Sequence, residues 1–562
     1  MGRHELSGAG AAIVACGVDH VYLEDLGRRA ALRVNVADGT FHVCAPDFET
    51  LLNLRKRVEA GAGYLKDRFC IMPPAQLREA MAEQAASRLT LEARQRLARK
   101  WPHASAHLEL SGLVRWSFAV FLVALIFGVS FAPFVSQPLL GGVALMIVAA
   151  PAAIRLFALQ QVPKAEAAAG RCPDAAELPR YSVLLPLRDE ASMIPQLYSA
   201  ISRLEYPPEK LEVKFLVESA SAETIAAVRP YLRDPRFELI VVPDSLPRTK
   251  PKAMNYALPF VTGEHLVVFD AEDRPQSDQL WRAALRFRDN PQLACLQAEL
   301  VIDNGEDNWL TAMFAGEYAA LFGIVLPAHA RWRVPVPLGG TSNHFRVSSL
   351  IEIGGWDAFN VTEDADLGVR MARKGMRVET LITRTLEAAP SDLEGWMAQR
   401  GRWIKGWMLT FIVHNRRPRA LLRDLGWRSF LFFELVVLGM ILAPILHVFF
   451  FSTAVLRLAL DMPLVSPSAW LWAVGYFVLF VLGNVAAVVA QFTGLSRLRR
   501  FSLLWVQLTL PLYWLLLALA TLRALGELLF DPFHWAKSDH TPVSSVSTRD
   551  GALSGVTPAE GF

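Results

Sequence analysis

The sequence predicts an α/β domain with a Rossmann-like, mostly parallel sheet, inserted between α-helical transmembrane segments and preceded by a small N-terminal α/β domain. Three observations carry this. Apolar residues gather in two long blocks, and short apolar runs alternate with helical stretches between them. Basic residues crowd the flanks of both blocks. The chain has 562 residues, 53% of them hydrophobic, and a mean hydropathy of +0.28. That is too apolar for an ordinary soluble enzyme. With 57 Lys+Arg against 54 Asp+Glu, the net charge of +3 leaves no electrostatic footprint for nucleic acid. Five scattered cysteines, Cys16, Cys44, Cys70, Cys172 and Cys295, form no C-x-x-C pair, so reduced thiols are expected.

Residues 1–110 come first. Ala11 to Val18 is short and soon meets Asp19, Glu24 and Asp25, so it does not read as a cleaved signal. Strand-like pieces follow at Ala30–Val36 and Thr40–Ala45, then helical ones at Asp47–Ala60, Pro74–Ala86 and Leu91–Lys100. A regulatory or docking module is expected. The region vaguely resembles N-terminal domains of secretion ATPases, some of which bind a cyclic dinucleotide. No motif for such a ligand stands there, so a structural or partner-docking module is the favoured reading, with a nucleotide second messenger or a regulatory partner as the alternative.

The first apolar block has no charge between Trp116 and Ile154, 39 residues in all. As one helix that would span about 58 Å, twice the ~30 Å hydrocarbon core. The break at Pro133–Pro138 makes residues 113–159 a hairpin of two crossings. The second block, 429–530, follows a basic interfacial segment at 411–428. It holds one span near Leu435–Leu456, another near Trp470–Phe492, and Phe501–Leu522, which Pro511 interrupts. Arg94, Arg96, Arg99 and Arg115 precede the first span, and Arg497, Arg499 and Arg500 follow the fourth. Basic flanks favour the cytoplasm, so the N-terminal region and the middle segment are both expected there, on a multi-pass inner-membrane protein. If the C-terminal tail is cytoplasmic too, 501–522 must be broken or re-entrant. Beyond 531 the chain is rich in Ser, Thr and Gly, and from Pro542 it reads as disordered.

Residues 178–410 hold the soluble core. Tyr181–Leu185 reads as a strand ending at Pro186, and Leu211, Val213, Phe215 and Val217 as a half-buried strand. Phe237–Val242 and His265–Phe269 follow, with helical spacing at Ser192–Arg203 and Ala222–Tyr231 between them. Ligands on such sheets sit beyond the C-terminal strand ends. Acidic residues fall there: Glu190, Glu218 and Asp270-Ala271-Glu272-Asp273. Carboxylates at a strand end can share one hard divalent cation, which also grips a diphosphate. Taken alone, the cluster equally suits a solvated acidic turn. Asp364, in Val361-Thr362-Glu363-Asp364, suits a general base, or alone the cap of a helix over 365–374. In Gln399-Arg400-Gly401-Arg402-Trp403 an arginine can neutralise a leaving diphosphate and the indole can stack on a sugar ring. An interfacial anchor would use the same residue types.

Together, D-x-[DE], T-E-D and Q-x-x-R-W between membrane helices resemble the family 2 glycosyltransferases, and within them the cellulose-synthase and hyaluronan-synthase-like processive enzymes. The resemblance covers about residues 178–541. It implies a GT-A fold, a nucleotide-sugar donor (a UDP-sugar), Mg²⁺ or Mn²⁺, and inverting transfer that polymerises and extrudes a β-linked glycan. Carried over, Asp364 is the catalytic base, and Glu190, Glu218, Lys250, Asp270 and Arg402 serve the donor. Gln399, Trp403 and Glu363 serve the acceptor, a growing glycan, and Asp270, Glu272 and Asp273 are the metal candidates. Gly340-Thr341-Ser342-Asn343-His344-Phe345-Arg346 resembles the acceptor-proximal loop, and Trp535-Ala536-Lys537-Ser538-Asp539-His540 a gating motif. Three positions depart from the family pattern. Glu218 stands for an Asp, Glu272 stands for a second Asp, and Thr541 replaces a glycine after the gating motif. Single transfer to a membrane-lipid acceptor, and a non-enzymatic transporter or receptor scaffold, are the alternatives. Intact Asp270, Asp364 and Trp403 argue against the scaffold.

Overall fold

The computed structural model describes residues 26–27, 31–36, 39–46, 48–62, 69–107, 111–135, 149–163, 172–460 and 467–531. The gating-like stretch at 535–540 and the tail lie outside them. Eleven strands are numbered in chain order. β1 (Ala31–Val36), β2 (Gly39–Cys44) and β3 (Phe69–Ile71) form a small sheet in that order. The larger sheet contains β4 (Tyr181–Leu187), β5 (Leu211–Glu218), β6 (Phe237–Val242), β7 (His265–Val268), β8 (Arg274–Pro275), β9 (Leu293–Ile302), β10 (Asn343–Arg346) and β11 (Arg377–Glu387). Its order is β6-β5-β4-β7-β10-β9-β11-β8. β10 and β8 run against all the others, so the sheet is mostly parallel, as expected.

Side-chain alternation divides this sheet between two cores. Val213, Phe215 and Val217 face the helices Ile194–Ser202 and Gln279–Asp289. Leu216 faces the opposite way, toward Lys250–Ala257 and the N-terminal helix Pro74–Lys100. β5 is therefore buried on both faces rather than half-buried. Even Lys214 is 1% exposed, held 2.7 Å from Glu238 and 3.2 Å from Glu212. β4 also differs from expectation, passing through Pro186 to Leu187. Its pairing with β7 stops at Leu184, so one side of the strand needs no ladder bond at the proline.

The two helices expected at Pro74–Ala86 and Leu91–Lys100 are one, Pro74–Lys100. Leu77, Met81, Ala85, Leu89, Ala93 and Leu97 keep one buried stripe at four-residue spacing, and no Gly or Pro interrupts it. That stripe joins the core of the larger sheet, so residues 74–100 share that core instead of forming a separate unit. The linker continues the docking. Ala106 N donates to Asp357 Oδ2 at 2.6 Å, and Arg416 Nη1 to the Ser105 carbonyl at 2.7 Å.

Among the described residues, four helices are long and apolar enough to cross a membrane: Trp309–Trp332, Pro418–Phe449, Phe477–Arg497 and Phe501–Phe530. The first is mostly buried inside the protein, between β9 and the helix Pro467–Arg497. Gly494 permits this approach, because a Cβ there would meet the Ala319 carbonyl at 2.4 Å. The first apolar helix, Gly112–Val135, runs through Pro133 and ends within the expected break at Pro133–Pro138, and 136–148, where the hairpin would turn, fall outside the described residues. Pro418–Ala459 bends at Gly426, which takes φ 73° where the basic segment meets the apolar one. Pro511 breaks nothing. Phe501–Thr509 forms 3₁₀ turns, and Pro511 opens the helix Leu510–Phe530 at a position needing no amide hydrogen. Both ends of 501–530 are tied down. Arg500 donates to the carbonyls of Ile302 and Asp303, and Arg115 to those of Leu528 and Leu529.

Candidate active site

The acidic residues stand where the parallel strands end. Glu218 closes β5, and Asp270 follows β7 by two residues. The turn after Asp270 is closed by Asp273, whose Oδ2 accepts from the Asp270 amide at 2.6 Å and from the Thr341 hydroxyl. Asp273, expected among the metal ligands, is thus fully buried and faces inward as the brace of the turn. Lys250 begins the helix Lys250–Ala257, and its ammonium bonds to Asp270 Oδ1 and, at 2.7 Å, to the Gly340 carbonyl. Asp364 lies in the first turn of Glu363–Arg373, with Oδ1 accepting from the Ala365 amide at 2.7 Å. A Cβ on Gly340 would come within 3.4 Å of Asp364 Oδ2. Gly340 is therefore a common neighbour, and Asp270 and Asp364 share one side of one pocket.

That pocket is a single cavity of about 490 Å³. Every site residue expected from the sequence lines it except Asp273: Glu190, Glu218, Lys250, Asp270 and Glu272, then Glu363, Asp364, Gln399, Arg402 and Trp403. The cavity does not stop at the catalytic domain. Val436, Gly439, Met440 and Ala443, from the helix Pro418–Ala459, line it too, with Ala487 and Leu517 from the next two apolar helices.

Charge is concentrated at the catalytic end. Burial pushes the Glu272 carboxyl up to about 8, and Asp270 and Glu387 add to the shift. Burial does the same to Glu363, also to about 8, with Asp364 adding. Asp364 is raised to about 6 by burial and by Asp270, against the pull of its amide bond and Lys250. Lys250 loses some charge stability to burial, but Asp270 and Glu363 more than restore it. Arg402 is lowered by burial while facing Glu363, Asp270, Glu272 and Asp364. Glu218 is raised by burial despite its 3.1 Å ion pair with Lys252. So many carboxylates in one largely buried pocket favour a cation.

Among the described residues, no group of three or more His, Cys, Asp or Glu side chains is arranged to hold a metal unaided. Asp270 and Glu272 nevertheless fit one. A small hard cation is commonly held by one or two carboxylates, with water and substrate phosphate completing the shell.

Residues 179–406 match the model of the glycosyltransferase like family 2. This region is a family 2 glycosyltransferase domain. Its mostly parallel sheet has the GT-A organisation expected from the motifs. A probable glycosyltransferase of Bacillus subtilis (strain 168), YdaM, is 23% identical over 354 residues, 62% of this chain and 83% of that one. A beta-monoglucosyldiacylglycerol synthase of Trichormus variabilis is 25% identical over 389 residues, 65% of this chain and 77% of that one. Glucomannan 4-beta-mannosyltransferase 9 of Arabidopsis thaliana is 29% identical over 144 residues, 25% of this chain and 27% of that one. Among solved structures, the mannosyltransferase PcManGT from Pyrobaculum calidifontis, in complex with GDP-Man and Mn²⁺, aligns with a TM-score of 0.40. It is 22% identical and covers 66% of this chain and 99% of that one.

The glycosyltransferase pocket also holds residues that the motifs do not name. Glu387 ends β11, lines the cavity, bonds to Tyr318 and is pushed up to about 8, chiefly by burial. A carboxylate closing a strand was its available signal, the same one that marks Glu218. Glu317, Tyr318, Arg400 and Tyr513 line the cavity as well, on three separate helices. Nothing in the local sequence marks Glu317, Tyr318 or Tyr513, and Arg400 falls at a position of Q-x-x-R-W to which the motif assigns no role.

Proposed function

We propose that this chain is a multi-pass inner-membrane enzyme whose cytosolic domain polymerises a β-linked glycan from a nucleotide-sugar donor by inverting transfer. The observation that carries the reading is the single cavity running from Asp270 and Asp364 to residues between the apolar helices. A product chain leaving the catalytic end would enter that passage directly.

In this mechanism Asp364 takes the proton from the acceptor hydroxyl as its oxygen attacks the sugar's anomeric carbon. The bond to the diphosphate breaks on the opposite face, so an α-linked donor yields a β-linkage. Glu363 lies beside Asp364 at the acceptor hydroxyl, and Trp403, with Gln399 one turn before it, offers the sugar a platform. Lys250 and Arg402 hold the diphosphate and stabilise it as it departs, while Glu190 and Glu218 border the rest of the donor. Asp270 and Glu272 would hold the Mg²⁺ or Mn²⁺, which when bound supplies further positive charge to the diphosphate. Asp273 keeps their turn in shape.

Single transfer to a lipid acceptor is the second reading. The apolar lining contributed by Val436, Met440 and Leu517 favours it, since such a surface suits an acyl chain as well as a passage. One experiment separates the two. The purified protein in vesicles is supplied with radiolabelled UDP-glucose, UDP-N-acetylglucosamine or GDP-mannose. Label in a high-mass polymer that β-glycanase degrades supports polymerisation, and label confined to the chloroform-soluble fraction supports lipid transfer. Equal donor consumption by the parent and Asp364→Asn would sink both.

A further inference from the structure

We propose that Arg400 is a positioning residue for Trp403, one that also ties the helix Leu510–Phe530 to the acceptor end of the cavity. The proposal rests on Trp403 being the acceptor platform. In Q-x-x-R-W, Arg400 occupies a position to which the motif assigns nothing. Helix geometry separates it from the motif's own arginine. Two residues apart on Leu393–Asn415, Arg400 and Arg402 point about 200° away from each other. Arg402 faces the carboxylates, whereas Arg400 shares a face with Trp396 and Trp403, four residues before it and three after.

On that face Arg400 is 4% exposed, and both of its terminal nitrogens are engaged. Its Nη1 donates to Glu317 Oε1 at 2.8 Å, and Nη2 lies 2.7 Å from Glu317 Oε2. Nη2 also donates to the Tyr513 hydroxyl at 3.2 Å, as does Trp396 Nε1 at 3.1 Å. With both of those bonds accepted, the Tyr513 proton goes to Glu317 Oε2 at 3.1 Å. Three helices, Trp309–Ala320, Leu393–Asn415 and Leu510–Phe530, are thereby joined at one guanidinium. The carbon of that group lies 4.2 Å from the Phe314 ring centre and 4.8 Å from that of Trp403. Trp403 leans in turn on Tyr318, at 6.1 Å and 27°. A planar fork can grip a carboxylate with two bonds and lie against an indole at once, which a lysine ammonium cannot do.

The test measures nucleoside-diphosphate release by the full chain in vesicles, with cellotetraose or dioleoylglycerol titrated as acceptor. R400K should raise the acceptor KM roughly tenfold and move the donor KM less than about twofold. W403F should raise the acceptor KM to a similar extent, and R400K/W403F should be no worse than W403F alone, because Arg400 acts through the ring it holds. Y513F, which keeps every charge, should give a smaller rise in the same direction and guards against a folding defect in R400K. Multiplying effects of R400K and W403F, or an R400K effect on the donor KM instead, would overturn the Arg400 proposal and leave the acceptor reading intact. A W403F variant with the parent's acceptor KM would overturn that reading, and the proposal with it.

Discussion

The two ends of the cavity are built on opposite principles. At the catalytic end, Asp270, Glu272, Glu363 and Asp364 crowd around two cations, Lys250 and Arg402, on short turns that follow strands or open helices. At the membrane end, apolar side chains from long helices line the wall, and the Arg400 guanidinium that borders it is paired with Glu317 within the protein. Carboxylates crowded into a largely buried pocket are held at a cost that a cationic ligand relieves. A paired and hydrogen-bonded ion fixes geometry and asks for nothing more. One end is thus prepared to receive charge, and the other to receive shape.

The largest effect should come at the catalytic end. Asp364→Asn should lower kcat by about 10²–10⁴-fold with donor affinity retained, measured as nucleoside-diphosphate release alongside donor titration. The same carboxyl sets a pH limb. It acts as a base only when deprotonated, and it is raised to about 6, so kcat should hold above that pH and decline below it. A flat kcat profile from pH 5 to 8 would remove Asp364 from the role.

Lys250→Ala should come next, raising the donor KM roughly ten- to a hundredfold, the scale of a lost charge-assisted bond. Chelation should stop turnover at the same end, and added Mn²⁺ or Mg²⁺ should restore it. At the membrane end, Ala443→Trp adds bulk to the wall and touches no carboxylate. Acceptor-dependent turnover should fall about tenfold, as expected for a misplaced acceptor, while donor binding is kept. Loss of donor binding in that variant would erase the contrast between the ends. The smallest effect should lie behind the site. Asn255 bonds to the Ala93 carbonyl at 3.0 Å and to the Trp356 carbonyl and amide at 2.7 and 3.0 Å, linking the N-terminal helix to the loop before Asp364. Asn255→Ala should cost about 1–3 kcal/mol of stability in a denaturant melt and leave kcat near the parent value.

Much of this molecule follows from local chemistry. A strand shows its period within five or six residues, so β4 to β7 and the acidic positions after them are legible one segment at a time. The same holds for Asp364 at a helix start and for the apolar blocks, whereas Lys250 was marked only by the family resemblance. Other features depend on contacts between residues far apart in the chain. Asp273 differs from its neighbours Asp270 and Glu272 in turning its carboxylate away from the cavity to the Thr341 hydroxyl, 68 positions away, and that contact makes a candidate ligand a brace. Residues 74–100 lost their independence because their stripe found the sheet's outer face. Glu317, Arg400 and Tyr513 meet because three helices cross, and a crossing depends on packing along whole surfaces rather than on any one motif. Composition and spacing decided which groups were available and on which element each would stand. Only the packed chain decided which of them face one another, since that depends on burial shared by many distant side chains.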